Sequence, residues 1–239
     1  FILQNIQSCF KGFIYNNFSN GNWEDTSVIL KIVPNDDDYY AIGVRNSFGL
    51  TVDPLTGNLW MTDNGNDKYD EINLVLEKSN LGATKYVGPV NKESVATVPG
   101  YEEYVYKNPE FIWELPVGVT SLEFVDSNMF KKYKNWLFVA DSHNGNIYKF
   151  KLNSDRTGFV FNSPHLEDNI VNILSKPAGI TEDTDFTRID YSTFLVEPMD
   201  EILFGKNFGI ISDITFGPDG SLYVISFMDG TIYKISLKI

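Results

Sequence analysis

Nine consecutive residues, Asp63-Asn-Gly-Asn-Asp-Lys-Tyr-Asp-Glu71, bring four carboxylates and two amides into one short stretch. Hard oxygen donors of this kind suit calcium, although the spacing is not that of an EF-hand, which needs Gly at the sixth position and Glu at the twelfth. A solvated acidic turn is the alternative. Arg45, followed by Asn46, offers a rigid forked cation that can either brace backbone carbonyls or stabilise negative charge developing on a ligand oxygen. The only histidines are His143 and His165. Asp141-Ser142-His143 cannot form a hydrolytic triad, because adjacent residues on a strand or tight loop point apart. On the residues alone, His143 reads as a loop residue and His165 as surface.

The elements that must position these groups repeat. Gly49-Leu-Thr-Val-Asp-Pro-Leu-Thr-Gly-Asn-Leu-Trp-Met-Thr-Asp63 with Asp70-Glu-Ile-Asn-Leu-Val-Leu76 aligns with Ser121 to Val125, Asn135 to Ala140 and Gly145 to Leu152. Both align with Asp213 to Ser226 and Gly230 to Leu237. Each segment holds an alternating strand, a turn, a Leu-aromatic strand (Leu59-Trp60, Leu137-Phe138, Leu222-Tyr223) and a third strand. Pro-Leu-Thr-Gly and Pro-Asp-Gly preset tight hairpin turns. Ile147, Phe150 and Leu152, like Ile232, Ile235 and Leu237, predict mainly half-buried antiparallel strands. The aligned leucines stand further apart than the roughly 40–50 residues of one propeller blade, so long insertions or worn blades fill the gaps. Residues 78–109 and 153–206, rich in Gly, Pro, Asn, Asp and Ser, predict outer strands and loops.

The expected fold is therefore all-β: one β-propeller domain over residues 1–239, with about four blades' worth of sequence. A β-sandwich is the competing architecture. An open arc would expose two apolar sheet faces, so either the ring closes with few blades or further blades precede Phe1. The chain starts without Met, which reads as a processed or truncated chain.

The net charge of −13 over 239 residues argues against nucleic acid as a partner, since phosphate binding needs clustered Lys and Arg. The single cysteine, Cys9, excludes an internal disulfide and a cysteine metal cluster. No stretch reaches the roughly 20 apolar residues of a membrane-spanning helix.

Tyr40-Ala-Ile-Gly-Val-Arg-Asn-Ser-Phe-Gly-Leu-Thr-Val-Asp-Pro-Leu-Thr-Gly-Asn-Leu-Trp-Met-Thr-Asp-Asn-Gly65 and Asp70-Glu-Ile-Asn-Leu-Val75 resemble the pyrroloquinoline quinone (PQQ)-dependent glucose/sorbosone dehydrogenase family. That family's pattern is G-x-R-N-P-x-G-L, a turn, L-W, then D-E-I-N-L before a glycine-rich N-Y-G-W. Weaker matches are Asn5, Thr26 to Val33, Leu137 to Asp141 with Gly145 to Tyr148, and Gly217 to Val224. The resemblance implies a six-bladed propeller in which PQQ, bound with a calcium ion, accepts a hydride from C1 of an aldose. It implies a sugar or polyol substrate and an extracytoplasmic setting. It places Arg45, Asn46, Asn64 and His143 toward the cofactor, and the main-chain carbonyls of Gly65 and Asn66, with Asp70, at the calcium.

Departures carry equal information. Where the family reads G-R-x-R-D, with two arginines on the cofactor carboxylates, this chain has Gly209-Ile-Ile-Ser-Asp213, placing Ile210 and Ser212 at the arginine positions. His143 stands where some members carry Lys, and Ser79-Asn-Leu-Gly-Ala83 is a worn copy of N-Y-G-W. The family's catalytic histidine lies in an H-N-G-G motif that does not occur here. Two expectations follow: a dehydrogenase-family chain lacking that histidine, or a non-enzymatic propeller binding a carbohydrate or protein partner.

Overall fold

The computed structural model describes residues 28–33, 36–83, 86, 88–90, 95–166, 170–171, 199–228 and 230–237. Asn5, Cys9 and the side chain of His165 lie outside the described residues. The chain divides into two compact units, Phe1–Arg45 with Val75–Asn108, and Asn46–Leu74 with Pro109–Ile239.

In the first unit, β1 (Val28–Val33) pairs antiparallel with β2 (Asp36–Ile42), with a register shift between Ile29 and Leu30. The short strands β6 (Ser79–Asn80) and β7 (Val105–Tyr106) extend this sheet in parallel. Tyr104 Oη donates to Tyr39 O at 2.8 Å and accepts from Lys78 Nζ at 2.9 Å, tying the sheet to the Lys78 turn.

Among the described residues the second unit holds three sheets. The first runs in the order β12-β8-β5-β4-β3, comprising β3 (Leu50–Val52), β4 (Leu59–Asp63), β5 (Asp70–Val75), β8 (Phe111–Trp113) and β12 (Ile170–Val171). The next is β9 (Val119–Phe124), β10 (Leu137–Asp141), β11 (Ile147–Phe150) and β13 (Leu203–Gly205). The last has three strands, β14 (Ile211–Phe216), β15 (Leu222–Ser226) and β16 (Thr231–Ile235).

The aligned sequence repeats fall on these sheets, with Leu59, Leu137 and Leu222 each opening the second strand. Strands β3 and β4 meet β9, and β14 meets β9 and β10, so each sheet packs face to face on the next. One apolar layer joins Trp60, Ile72, Phe111 and Trp113 to Leu137, Val139, Tyr148 and Phe150. The other face of the middle sheet, with Phe138, Ala140 and Ile147, packs on Ile214, Leu222 and Val224. Stacked antiparallel meanders of this kind are the blades of a β-propeller, the architecture that the repeats predict.

The strand periodicity needs one revision. Ile147 and Phe150 lie three residues apart and so face opposite layers, which makes β11 a strand buried on both sides. In the last sheet Tyr233 and Ile235 pack inward while Ile232, 67% exposed, and Ile225, 41% exposed, turn outward.

Polar contacts fix how the blades stack. Thr62 Oγ1 donates to Thr120 O at 2.7 Å, and Ser121 Oγ donates to Asp213 Oδ1 at 2.6 Å. At the opposite end of the strands, Ser127 Oγ donates to Gly220 O at 2.6 Å. Arg156 Nε donates to the buried Asp53 at 2.5 Å and Arg156 Nη2 to Asn135 O at 3.1 Å, with its guanidinium 5.4 Å from the Phe124 ring.

Candidate functional site

The same turn closes one end of all three blades. The residue that follows the second strand, or ends next to it, donates its N–H to the segment leading into the first strand. These bonds are Asn64 to Asn46 O at 3.1 Å, Ser142 to Gly118 O at 2.8 Å and Phe227 to Ile210 O at 2.7 Å. Three equivalent turns, Asn64–Tyr69, Ser142–Asn146 and the one beginning Phe227-Met228, therefore lie on a common end.

Side chains stitch the first turn to the second blade. Asn46 N–H donates to Asp63 Oδ1 at 2.5 Å, and the buried Asn64 amide donates to Asn46 O at 3.0 Å and Val119 O at 2.8 Å. Asp70 is fully buried. Its Oδ1 accepts the Gly65 N–H at 2.9 Å, and its Oδ2 accepts Val117, Gly118 and Val119 N–H at 2.8, 2.6 and 3.3 Å. Burial pushes this carboxyl up, against the opposing pull of those four amides. The Asp70 carboxylate is thus an organiser that fixes the Gly65 turn to the second blade.

Gly118 has φ +68°, and a Cβ there would meet Ser142 Oγ and the His143 ring. That close approach seats the second turn. His143 N–H donates to Val117 O at 3.1 Å, and its Nδ1 lies 3.2 Å from Pro116 O. A carbonyl can only accept, so Nδ1 carries the hydrogen and the exposed ring presents Nε2 as its acceptor when neutral. The turn's own frame is Asp141, which accepts Asn144 N–H at 2.8 Å, Asn146 N–H at 3.2 Å and Tyr148 Oη–H at 2.5 Å. Burial pushes Asp141 up to about 6 despite these donors.

The second turn abuts the third blade: Phe208 N–H donates to Gly145 O at 3.0 Å, and a Cβ on Gly145 would meet Gly209 O at 2.5 Å. Between these blades Glu123 shares a layer with Asp213, and burial, then the Asp213 charge, raise it to about 7.

Of the residues singled out by sequence, Asn46, Asn64, Gly65, Asp70 and His143 are brought together by this network. Asn66 lies in the same turn and is exposed. Arg45 closes the first segment of the other unit. What sequence reasoning missed is Asp63 as a brace on the Asn46 N–H, Asp141 as a turn brace, and Gly118. Asp63 and Asp141 were detectable as the same residue four positions after Leu59 and Leu137; Gly118 had no such signal.

Among the described residues no three His, Cys, Asp or Glu side chains converge as metal ligands. Hard-cation chemistry at the first turn would instead use main-chain oxygens, and Gly65 packs against the carbonyls of Lys68 and Tyr69. Carbonyl and amide oxygens are the donor type that calcium takes. A tricarboxylate such as PQQ fits less well. Ile210 and Ser212 have neutral side chains and supply no positive charge for its carboxylates; Ile210 O accepts the Phe227 N–H, and Ser212, exposed, donates to Ile225 O at 3.4 Å.

The family described as Glucose / Sorbosone dehydrogenase matches residues 20–176. The chain belongs to the glucose/sorbosone dehydrogenase family. Within curated proteins, an uncharacterized protein of Borreliella burgdorferi is 33% identical over 117 residues, covering 44% of this chain and 30% of that protein. The aldose sugar dehydrogenase YliI of Escherichia coli is 23% identical over 121 residues, covering 50% of this chain and 33% of that protein. A solved glucose dehydrogenase superposes with a TM-score of 0.56 at 20% identity, over 84% of this chain and 46% of that chain. The PQQ-bound aldose sugar dehydrogenase of Streptomyces coelicolor gives 0.50 at 13% identity, over 84% and 46%. These likenesses bear on the fold. The chain spans about a third of the curated relatives and less than half of these solved glucose/sorbosone dehydrogenase-like chains. No helix among the described residues is long and apolar enough to cross a membrane.

Proposed function

We propose that the protein to which this chain contributes oxidises the CH–OH of an aldose-type sugar or polyol in an extracytoplasmic setting. The chain's own part is a calcium turn and a polar rim. The observation that supports this reading is the Asp70 clamp, which holds Gly65 and Val117–Val119 on one buried carboxylate and so fixes the turn that carries the Gly65 and Asn66 carbonyls. Gly65 and Asn66 would hold calcium through main-chain carbonyls, with Asp70 acting on them through the Gly65 N–H. Arg45, Asn46, Asn64 and His143 would face the cofactor. PQQ, when bound in such enzymes, accepts the hydride from the sugar carbon.

The family histidine that takes the sugar proton corresponds to neither His143 nor His165, so this chain alone is expected to bind without turnover. A second reading, a non-enzymatic propeller that holds a carbohydrate or protein partner, is favoured by Ile210 and Ser212 at the two arginine positions. Calorimetric titration of the chain with calcium, followed by PQQ and a glucose-driven dye-reduction assay, tests both. Calcium binding without dye reduction is the expected result. Failure to bind calcium overturns the carbonyl turn, and turnover stoichiometric with PQQ overturns the absence of the base.

A further inference from the structure

Asn64-Gly65 and Asn144-Gly145 place the same dipeptide in the turns of two neighbouring blades; Asn20-Gly21 lies outside the described residues. An asparagine before glycine can lose its amide to its own backbone, because no Cβ screens the glycine nitrogen from the side-chain carbonyl carbon, and the two close a five-membered imide. The first pair is tied down at both nitrogens that this reaction uses. Gly65 N–H donates to Asp70 Oδ1 at 2.9 Å, and the buried Asn64 Nδ2 donates to Asn46 O at 3.0 Å and Val119 O at 2.8 Å. The second pair is held loosely. Asn144 is half-buried beside the Tyr148 hydroxyl, and its Nδ2 stands 3.4 Å from Asp141 Oδ2, long for a hydrogen bond. Among the described residues no acceptor takes the Gly145 N–H.

We propose that Asn144-Gly145 is a self-modification site that converts to aspartate and isoaspartate, while the Asp70 clamp keeps Asn64-Gly65 as asparagine. The bond from Gly145 N to Asn144 Cγ forms as the Cγ–Nδ2 bond breaks, and the Gly145 proton leaves with the amide nitrogen as ammonia. One water then opens the imide at either carbonyl. The sum is amide plus water to carboxylic acid plus ammonia, with no oxidant and no further reactant. Both products set a new carboxylate against Asp141, whose Oδ1 holds the Asn144 and Asn146 N–H groups. Isoaspartate also lengthens the main chain ahead of Gly145, where there is no room: a Cβ there would meet Gly209 O at 2.5 Å, and Gly145 O holds the Phe208 N–H at 3.0 Å. Conversion therefore loosens the second turn from the third blade.

Peptide mapping by mass spectrometry tests this on the full chain, aged in mildly alkaline water enriched in heavy oxygen, so that each new carboxylate is labelled and conversion during digestion is not counted. In the folded chain the Asn144 peptide should convert at least about ten-fold faster than the Asn64 peptide, since the first pair must break three hydrogen bonds before it reacts. In the chain unfolded by urea the two rates should approach each other. Asn144→Gln, whose longer side chain closes a six-membered ring far more slowly, should end labelling at that position. Equal rates in the folded chain, or faster conversion at Asn64, overturn the proposal. So does an Asn144 peptide that stays unlabelled in the folded chain, and so does a rate ratio that persists in urea, which would trace it to local sequence and not to the turns.

Discussion

Asp70 Oδ2 accepts the N–H of Gly118 at 2.6 Å although 48 residues separate them in the chain. With the Val117, Val119 and Gly65 amides it forms a node on which two blades and the first turn converge. Asp70→Asn replaces one acceptor with a donor that faces N–H groups. The variant should lose about 2–4 kcal/mol of stability, in line with charge-assisted bonds of roughly 1.5–3 kcal/mol each that are partly replaced, read by urea denaturation. Calcium affinity should fall with it. Wild-type stability in Asp70→Asn would remove the node from the fold.

Gly118 and Gly57 both have positive φ, +68° and +78°, but only Gly118 is crowded, since nothing lies within 4 Å of a Cβ at Gly57. Gly57→Ala should therefore cost only the backbone penalty, about 1 kcal/mol. Gly118→Ala adds a clash with Ser142 and His143 and should cost about 2–4 kcal/mol. Thermal unfolding of the pair separates conformational strain from crowding, and equal losses would deny the close approach.

The Arg156–Asp53 pair joins the β3–β4 turn to the middle blade, with Asp53 fully buried as a side chain. Removing the arginine leaves the buried carboxylate without its cation, held by the Leu55 N–H at 2.9 Å. Arg156→Ala should cost about 3–5 kcal/mol, and Asp53→Asn less. A double-mutant cycle by chemical denaturation should show strong coupling between the two; additive losses would mean that they act separately.

Glu123 should make stability pH-dependent. Its ordinary value of 4.5 rises to about 7 in the folded protein, so between these values the folded state holds a proton that the unfolded state has released. Stability contributed here is full below about pH 4.5 and is lost as pH rises through about 7. Glu123→Gln cannot ionise and escapes the loss. It should match wild type near pH 4 and exceed it at pH 8 by on the order of 1–2 kcal/mol, a partly solvent-screened fraction of the full shift. Asp141 shifts in the same direction in both proteins and cancels in the difference. A constant gap across this range would show that Glu123 does not titrate as its burial requires.

The repeats made the blades legible because each second strand is apolar on both faces and opens with Leu59, Leu137 or Leu222. What the sequence could not reveal was contact between remote backbone groups. The parallel pairs of β6 and β7 with the first sheet depend on two-residue strands too short to carry a period. Ile232 was aligned with Ile147, and the alignment holds, but Ile147 is covered by a following blade and Ile232 is not. At the site, Asn64, Gly65 and Asp70 stood out as an oxygen-rich run. Their assembly with Val117–Val119 rests on side-chain-to-amide bonds spanning 47 to 55 residues, which leave no local pattern.

The recurrence of one N–H to carbonyl bond at Asn64, Ser142 and Phe227 means that this end of the three blades is assembled in sectors. Each duplication of a meander adds a scaffold together with a two-residue display slot. The closing bond uses backbone atoms alone, so it forms whether the donor residue carries the Asn64 amide, the Ser142 hydroxyl or the Phe227 ring. The side chain then decides how firmly a sector is tied to its surroundings: Asn64 reaches across to Val119 O of the next blade, and Ser142 bonds only to Gly118 O beside its own closing bond.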